Sequence, residues 1–178
     1  IPASEKKIAI IFHNYPPRND QIACAFGLDS LQSIADLLKA MNDAGYYIER
    51  VPQTGDELIN MILERATNDQ RWESEDKILE IAAGKISEGQ CKEFFDYLPH
   101  ENYIVLEKDW GPAPGKVMRA KDHMIIPGII NGNVFIGLQP RRGFLEDPIK
   151  IYHDPDLSPP WQYLGYYKWI RDEFGADA

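Results

Sequence analysis

Residues 8–12, Ile-Ala-Ile-Ile-Phe, are apolar without alternation and lie between Lys6-Lys7 and a loop rich in Pro and Asn. A run this short and this uniformly apolar reads as a strand covered on both faces, the situation of a parallel strand in an α/β sheet. The sequence that follows supplies the covering elements. Leu28, Leu31, Ile34, Leu37, Leu38 and Met41 recur at helical spacing, Asp29 or Ser30 can cap the start, and Gly45 fits the stop. Residues 47–51, Tyr-Ile-Glu-Arg-Val, then read as a second strand ended by Pro52. Strand, helix and strand in this order predict a right-handed βαβ unit over residues 7–51. The expected fold class is therefore α/β, with a small parallel Rossmann- or flavodoxin-like sheet flanked by helices.

Three further helix starts are marked by their caps. Thr54 with Glu57 and Ser87 with Gln90 are capping boxes, and Ser74 can open a helix carrying Ile78, Leu79 and Ala82 that stops at Gly84. Cys91, Phe94, Phe95 and Leu98 follow the second box on one apolar face, so packing is the expected role of Cys91. After a turn-rich stretch, residues 110–115, the apolar runs 124–130 and 133–138 flank Asn131-Gly132. Asn-Gly between apolar runs predicts a hairpin through a type I′ turn, here added in the second half of the chain. Pro127 places its strand at an edge or starts the strand after it. A last helix is expected over residues 161–174. Residues 1–110 are expected to form the βαβ-containing part, and residues 111–178 the hairpin, Pro-rich loops and final helix packed on it.

Composition narrows the function classes. With 44% hydrophobic and 26% charged residues the chain can fill a core, which excludes a disordered polymer. No apolar run reaches the roughly 20 residues of a membrane-spanning helix. The net charge of −9 argues against a nucleic-acid face and against a polybasic membrane anchor. The acid excess lies between residues 55 and 109, with 14 acidic and 6 basic side chains, whereas residues 111–150 carry 3 acidic and 6 basic ones. A basic block thus follows a solvated acidic one. Cys24 and Cys91 form no CxxC pair and fit buried free thiols in a reducing, cytoplasmic setting. The N-terminal residues lack the apolar stretch of a signal peptide.

The generic motifs GxSxG, HExxH, GxxxxGK[ST] and GxGxxG are all missing, so binding of ATP or a dinucleotide by this chain is not expected. Candidate sites lie in three loops. His13 and Asn14 follow a strand, where open α/β sheets place ligand loops; the same residues can instead close an Asx turn. Arg141-Arg142 suits bidentate binding of a carboxylate, or simple solvation. His153-Asp154 reads as a metal ligand with its carboxylate, as an acid/base pair, or as a structural tie in a Pro-rich loop.

Longer motifs go further. Asn14-Tyr15-Pro16-Pro17, Gly27-Leu28-Asp29 with Ser30-Leu31, and Ala44-Gly45-Tyr46 are similar to the large subunit of cobaltochelatase (CobN-like) and to the H-type large subunit of magnesium chelatase. The resemblance continues through Phe94-Phe95-Asp96-Tyr97-Leu98-Pro99, Trp110-Gly111-Pro112-Ala113-Pro114-Gly115, Ile126-Pro127-Gly128 and Gly132-Asn133-Val134-Phe135. It then takes in Gln139-Pro140-Arg141-Arg142-Gly143, His153-Asp154-Pro155-Asp156, Pro159-Pro160 with Gln162-Tyr163, and Phe174-Gly175-Ala176-Asp177-Ala178. These patches span nearly the whole chain in the family's order.

The resemblance implies an internal segment of a subunit several times longer. That subunit inserts cobalt or magnesium into a corrin or porphyrin ring, in cobalamin or chlorophyll biosynthesis, and ATP is hydrolysed by separate AAA+ partner subunits. The implied reaction removes two pyrrole N–H protons as the metal enters, which calls for a base and metal-binding groups. His153 and Asp154 are then the catalytic candidates, with His153 also the metal contact. Asn14, Tyr15, Gln139, Arg141, Arg142 and Trp161 are the substrate-binding candidates, the arginines for ring carboxylates and aromatic walls such as Trp110, Tyr152 and Trp161 for the flat face. The segment alone is expected to hold no cofactor and to be inactive. Two positions depart from the family pattern PPHxYL: Trp161 stands where His is usual, and Gly165 where Ala is usual. The alternative is a flavodoxin-like ligand-binding module without chelatase activity.

Overall fold

The protein is described by a computed structural model covering residues 1–14, 18–140 and 157–178. In chain order its elements are β1 (Ile8–Phe12), α1 (Ser30–Asp43), α2 (Gly55–Leu63), α3 (Glu75–Ile81), β2 (Gly84–Ser87) and α4 (Glu88–Phe94). They continue with α5 (His100–Trp110), β3 (Arg119–Ala120), β4 (His123–Ile126), β5 (Gly128–Asn131), β6 (Val134–Leu138) and α6 (Trp161–Trp169), which runs into a π-helical turn at Ile170–Phe174. The strands form two three-stranded sheets, one ordered β1-β6-β5 and the other β2-β4-β3. The architecture is mixed α/β.

The strand at residues 8–12 is present, but its parallel partner is not the expected one. β1 pairs with β6 in parallel, Ile8 opposite Val134 through Phe12 opposite Leu138. Residues 47–51 form no strand. They lie instead across the tip of the β5–β6 hairpin: Asn133 N–H donates to the Tyr47 carbonyl at 2.9 Å, and the Asn131 side chain exchanges two hydrogen bonds, each 2.8 Å, with the Arg50 backbone. The Tyr47 carbonyl and both backbone groups of Arg50 are satisfied there, so the β propensity of the segment is overridden by tertiary contacts. The hairpin is consequently not a separate feature. Its second strand is the centre of the sheet that contains β1.

The turn itself sits one residue later than expected. Asn131 pairs with Val134, leaving Gly132-Asn133 as the two-residue loop. Of these two only Gly132 has positive φ, +64°, the pattern of a type II′ rather than a type I′ turn. A Cβ on Gly132 would come within 2.7 Å of the Tyr47 carbonyl oxygen, so the close crossing also requires glycine. Pro127 lies between β4 and β5, where the chain passes from one sheet to the other.

The alternation of β1 and β6 builds two cores. Ile8, Ile10 and Phe12 with Val134, Ile136 and Leu138 face Leu38 of α1 and Leu58, Met61 and Ile62 of α2. Ala9, Ile11 and Phe135 face the opposite layer, where Trp110, Trp161, Tyr166, Trp169 and Phe174 pack with Phe95 and Met124. A strand apolar on both faces is thus covered on both, as its sequence implied. A third cluster joins Ile78 and Ile81 of α3 to Ala120 and Ile125 of the second sheet. Both sheets draw strands from either side of residue 110.

The N-caps are as read, but Gly84 does not stop α3, which ends at Ile81; it opens β2 instead. Asp29 accepts from the Gln32 N–H at 3.0 Å, and Thr54 from the Glu57 N–H at 3.2 Å. Glu57 returns its bond to the Gln53 N–H, one residue before the cap. Gly45, at φ +88°, closes α1 with bonds from Gly45 N–H to Asn42 and Tyr46 N–H to Met41, a Schellman motif. Cys91 is buried, but Cys24 is exposed, contrary to the expectation for a free thiol. Helix α5 and strand β2 were not foreseen.

Candidate functional site

The carboxyl ends of β1 and β6 lie side by side, because Gln139 N–H continues the ladder to the Phe12 carbonyl at 2.8 Å. The residues that follow each strand therefore share one end of the parallel pair, the usual place for ligand loops in such sheets. Two substrate-binding candidates, Asn14 and Gln139, are brought together in this way.

Gln139 is held on three sides. Asn68 donates from Nδ2 to its carbonyl at 2.7 Å, the Tyr167 hydroxyl donates to its Oε1 at 2.8 Å, and its Nε2 lies 3.5 Å from the Tyr163 hydroxyl. Tyr163 and Tyr167 are one turn apart on α6, so one face of that helix addresses the end of β6. Asn14 is 4% exposed, and among the described residues neither its Oδ1 nor its Nδ2 has a hydrogen-bond partner. Gln162, in the first turn of α6, is fully buried, and among the described residues both its amide atoms are equally unpartnered. A buried orphaned amide costs about 1–3 kcal/mol, so two of them in one small protein ask for a reason. Each offers a donor and an acceptor ready for a polar ligand group.

A second polar cluster supports the loop after β1. Thr67, Asn68 and Asp69 are all buried. The Thr67 hydroxyl donates to Asn19 Oδ1 at 2.7 Å, and Asn19 N–H donates to Asp69 at 3.3 Å. Arg71 grips both oxygens of Asp69 at 2.7 Å and holds its carboxyl down at about 2. Residues 67–69 thus tie the β1 loop, through Asn19, to the end of β6, through Asn68. Thr-Asn-Asp in sequence reads as an ordinary turn, and nothing in its spacing marks it as buried.

Trp161 does not stand as a surface wall. It is fully buried, its indole N–H donates to the Gly111 carbonyl at 2.8 Å, and its ring centroid is 4.9 Å from those of Phe95 and Tyr103. No ring face is left for a macrocycle, because the residue fills the core beneath α6. Gly165 lies one turn further along the same face, where a Cβ would meet Met124 Cε at 2.3 Å and Phe95 at 3.2 Å. The two departures from the family pattern are therefore neighbours, one residue large and the other small, around Phe95. Trp110 is also buried and donates to the Ser158 carbonyl at 2.8 Å. Asp109 accepts from the Ser158 hydroxyl at 2.6 Å. Together they fix the approach to α6.

Tyr15, Arg141, Arg142, Tyr152, His153 and Asp154 lie outside the described residues. Among the described residues there is no group of three or more His, Cys, Asp or Glu side chains that would hold a metal ion, and no helix long and apolar enough to cross a membrane.

Comparison with known proteins gives these features a context. A family model described as CobN/Magnesium Chelatase matches residues 1–178. An uncharacterized protein of Methanocaldococcus jannaschii is 52% identical over 98% of this chain. The aerobic cobaltochelatase subunit CobN of Pseudomonas aeruginosa is 34% identical over 99% of it. The chain spans 14% of the length of each of these relatives. Among solved structures, the catalytic subunit of cobaltochelatase from Mycobacterium tuberculosis covers the whole chain with a TM-score of 0.77 at 32% identity, the match taking in 15% of that subunit. The chain, matched from its first residue to its last, belongs to the CobN/magnesium chelatase family.

Proposed function

We propose that this chain is a segment of the tetrapyrrole-binding large subunit of an ATP-dependent metal chelatase, and that the paired ends of β1 and β6 form part of its ring site. The observation that carries the reading is the pair of unpartnered buried amides, Asn14 and Gln162, in a family whose members include cobaltochelatase subunits. The metal, cobalt or magnesium, is substrate here. ATP is consumed by AAA+ partner subunits, and the segment by itself is inactive. A Rossmann- or flavodoxin-like relationship of the full sheet belongs to the same proposal.

In this reading Asn14 and Gln139 donate to and accept from polar substituents of the ring. Arg141 and Arg142, which follow Gln139 after Pro140, meet ring carboxylates through bidentate hydrogen bonds. Tyr15 borders the ring beside Asn14. His153, with Asp154 beside it, takes a pyrrole proton or meets the incoming metal.

The test uses the full-length subunit with its partners. Asn14→Leu and Arg142→Ala are expected to weaken ring binding about tenfold or more, followed by absorbance titration. His153→Ala is expected to leave ring binding near the parent value and to suppress metal insertion. Parental binding and insertion by all three correctly folded variants overturns the assignment.

A further inference from the structure

The last residues of the chain lie against β1. After the π-helical turn, Gly175 at φ +75° reverses the backbone, and Gly175 and Ala176 N–H groups both return to the Ile170 carbonyl at 3.0 Å. Asp177 N–H then donates to the Lys7 carbonyl at 2.7 Å, and Ala9 N–H donates to the Ala178 carbonyl at 2.7 Å. Asp177 also accepts from the Lys7 N–H at 2.9 Å, and the Lys7 ammonium caps the Phe174 carbonyl at 2.9 Å. Contacts advance from Lys7 to Ala9 as the chain advances from Asp177 to Ala178, so the two segments run in the same direction.

This pairing occupies only the start of the edge. In β1 the N–H of Ile8 points to β6 and that of Ala9 to the opposite side, so by alternation the Ile11 N–H points to the outer edge as well. Among the described residues nothing bonds to it. The edge is Ile-Ala-Ile-Ile-Phe, without the charge, proline or bulge that ordinarily protects an open strand. Beside it runs a groove of about 220 Å³ lined by Ile10, Ile11, Phe12, Cys24, Leu28 and Ile34, with Leu28 58% exposed.

We propose that the polypeptide running on from Ala178 in the longer subunit forms a strand parallel to β1, extends the sheet beyond it, and covers this groove with its side chains. The occupant is argued from the two backbone bonds already made in the right direction, and from relatives of which this chain spans only 14%. The sheet order becomes new strand-β1-β6-β5, with three parallel strands and β1 in the interior. A parallel strand apolar on both faces belongs in the interior. The proposal rests on the sheet alone and stands or falls independently of ring and metal.

Hydrogen exchange of the full-length subunit, resolved to single amides, tests it. The Ile11 amide is expected to be slowed to the level of Ile10, about 100-fold or more below an open edge amide, because both then sit in ladders. Fast exchange at Ile11 beside slow exchange at Ile10 overturns the proposal. A cysteine scan identifies the occupant: Ile11→Cys is paired with single cysteines at about eight positions after Ala178, the length of a strand and its entry. Oxidation is expected to give disulfides at alternate positions only. A protected Ile11 amide without any such disulfide, while Ile10 remains protected, assigns the edge to another segment and overturns the proposal.

Discussion

The Tyr166 hydroxyl lies 1.9 Å from the point a Cβ on Gly137 would occupy, so β6, buried at all five of its residues, is notched to admit a helix side chain. Tyr166 is fully buried, and burial pushes its phenol well above its ordinary pKa. Among the described residues the hydroxyl makes no well-formed hydrogen bond, although the Leu138 backbone beside it pulls the phenol the other way. Helix α6 can therefore approach β6 closely enough for Tyr163 and Tyr167 to reach Gln139 only because position 137 carries no side chain.

Gly137→Ala is accordingly expected to destabilise the protein by about 2 kcal/mol, the scale of overpacking, and to lower Tm by roughly 4–8 °C. Tyr166→Phe removes a buried hydroxyl that lacks a well-formed hydrogen bond and is expected to leave stability within about 1 kcal/mol of the parent. In the Tyr166→Phe background the Gly137→Ala penalty is expected to shrink. Equal penalties in both backgrounds, measured by thermal or denaturant unfolding, break the link between the two residues.

How far the sequence reaches can be read from these same elements. The apolar run 8–12, the caps at Asp29, Thr54, Ser74 and Ser87, and the final helix were legible because each depends on local chemistry. The partner of β1 was not. Residues 47–51 and 134–138 have comparable β propensity, and only the long-range ladder to β6 decides between them. Helix α5 escaped because Tyr103, Ile104, Val105 and Leu106 are consecutive and carry no 3.6-residue stripe; Ile104 and Val105 are in fact exposed. In the candidate site, Asn14 and Gln139 were visible as residues following apolar runs. Asn68, Asp69, Tyr166 and Tyr167 were not, since their roles arise from contacts across some 70 residues of sequence or between helix and strand.

Asp69 gives the fold a defined acid sensitivity. Its carboxyl lies at about 2 in the folded protein against an ordinary 3.8, chiefly because Arg71 hydrogen-bonds to it. A depressed carboxylate stabilises the folded state fully above its unfolded value, and that contribution is lost as pH falls from about 4 toward 2. The shift corresponds to about 2.5 kcal/mol, and the 59% exposure of Arg71 reduces this to about 1–2 kcal/mol. Asp69→Asn is expected to lower stability by that amount at pH 7 and to flatten the decline between pH 4 and 2. An acid limb of unchanged slope removes Asp69 as its source.

The two cysteines are expected to separate cleanly in reactivity. Cys24 is exposed in the groove beside β1, whereas burial pushes the Cys91 thiol up to about 11. Alkylation of this segment at pH 8 should modify Cys24 and leave Cys91 intact until the protein is unfolded. Comparable labelling rates at both sites under native conditions contradict the packing of Cys91 against Phe95.

Trp161 and Gly165 are expected to behave as a coupled pair. Trp161 fills the core against Phe95 and Tyr103, and its indole N–H satisfies the Gly111 carbonyl. Trp161→His, which restores the residue usual in the resembling pattern, removes ring volume and places a polar ring among Phe95, Tyr103 and Cys91. About 3 kcal/mol of stability should be lost. Gly165→Ala alone drives a methyl to 2.3 Å from Met124 Cε and 3.2 Å from Phe95. Methionine can turn aside, so the cost is smaller, about 1–2 kcal/mol. With His at 161, Phe95 gains room to retreat from position 165, and the alanine fills space the indole has left. The double variant should therefore be more stable than the sum of the single losses by about 1 kcal/mol, in a denaturant-unfolding cycle. Strict additivity means that the large residue and the small one do not share the space around Phe95. A double variant less stable than the sum means that Phe95 cannot move.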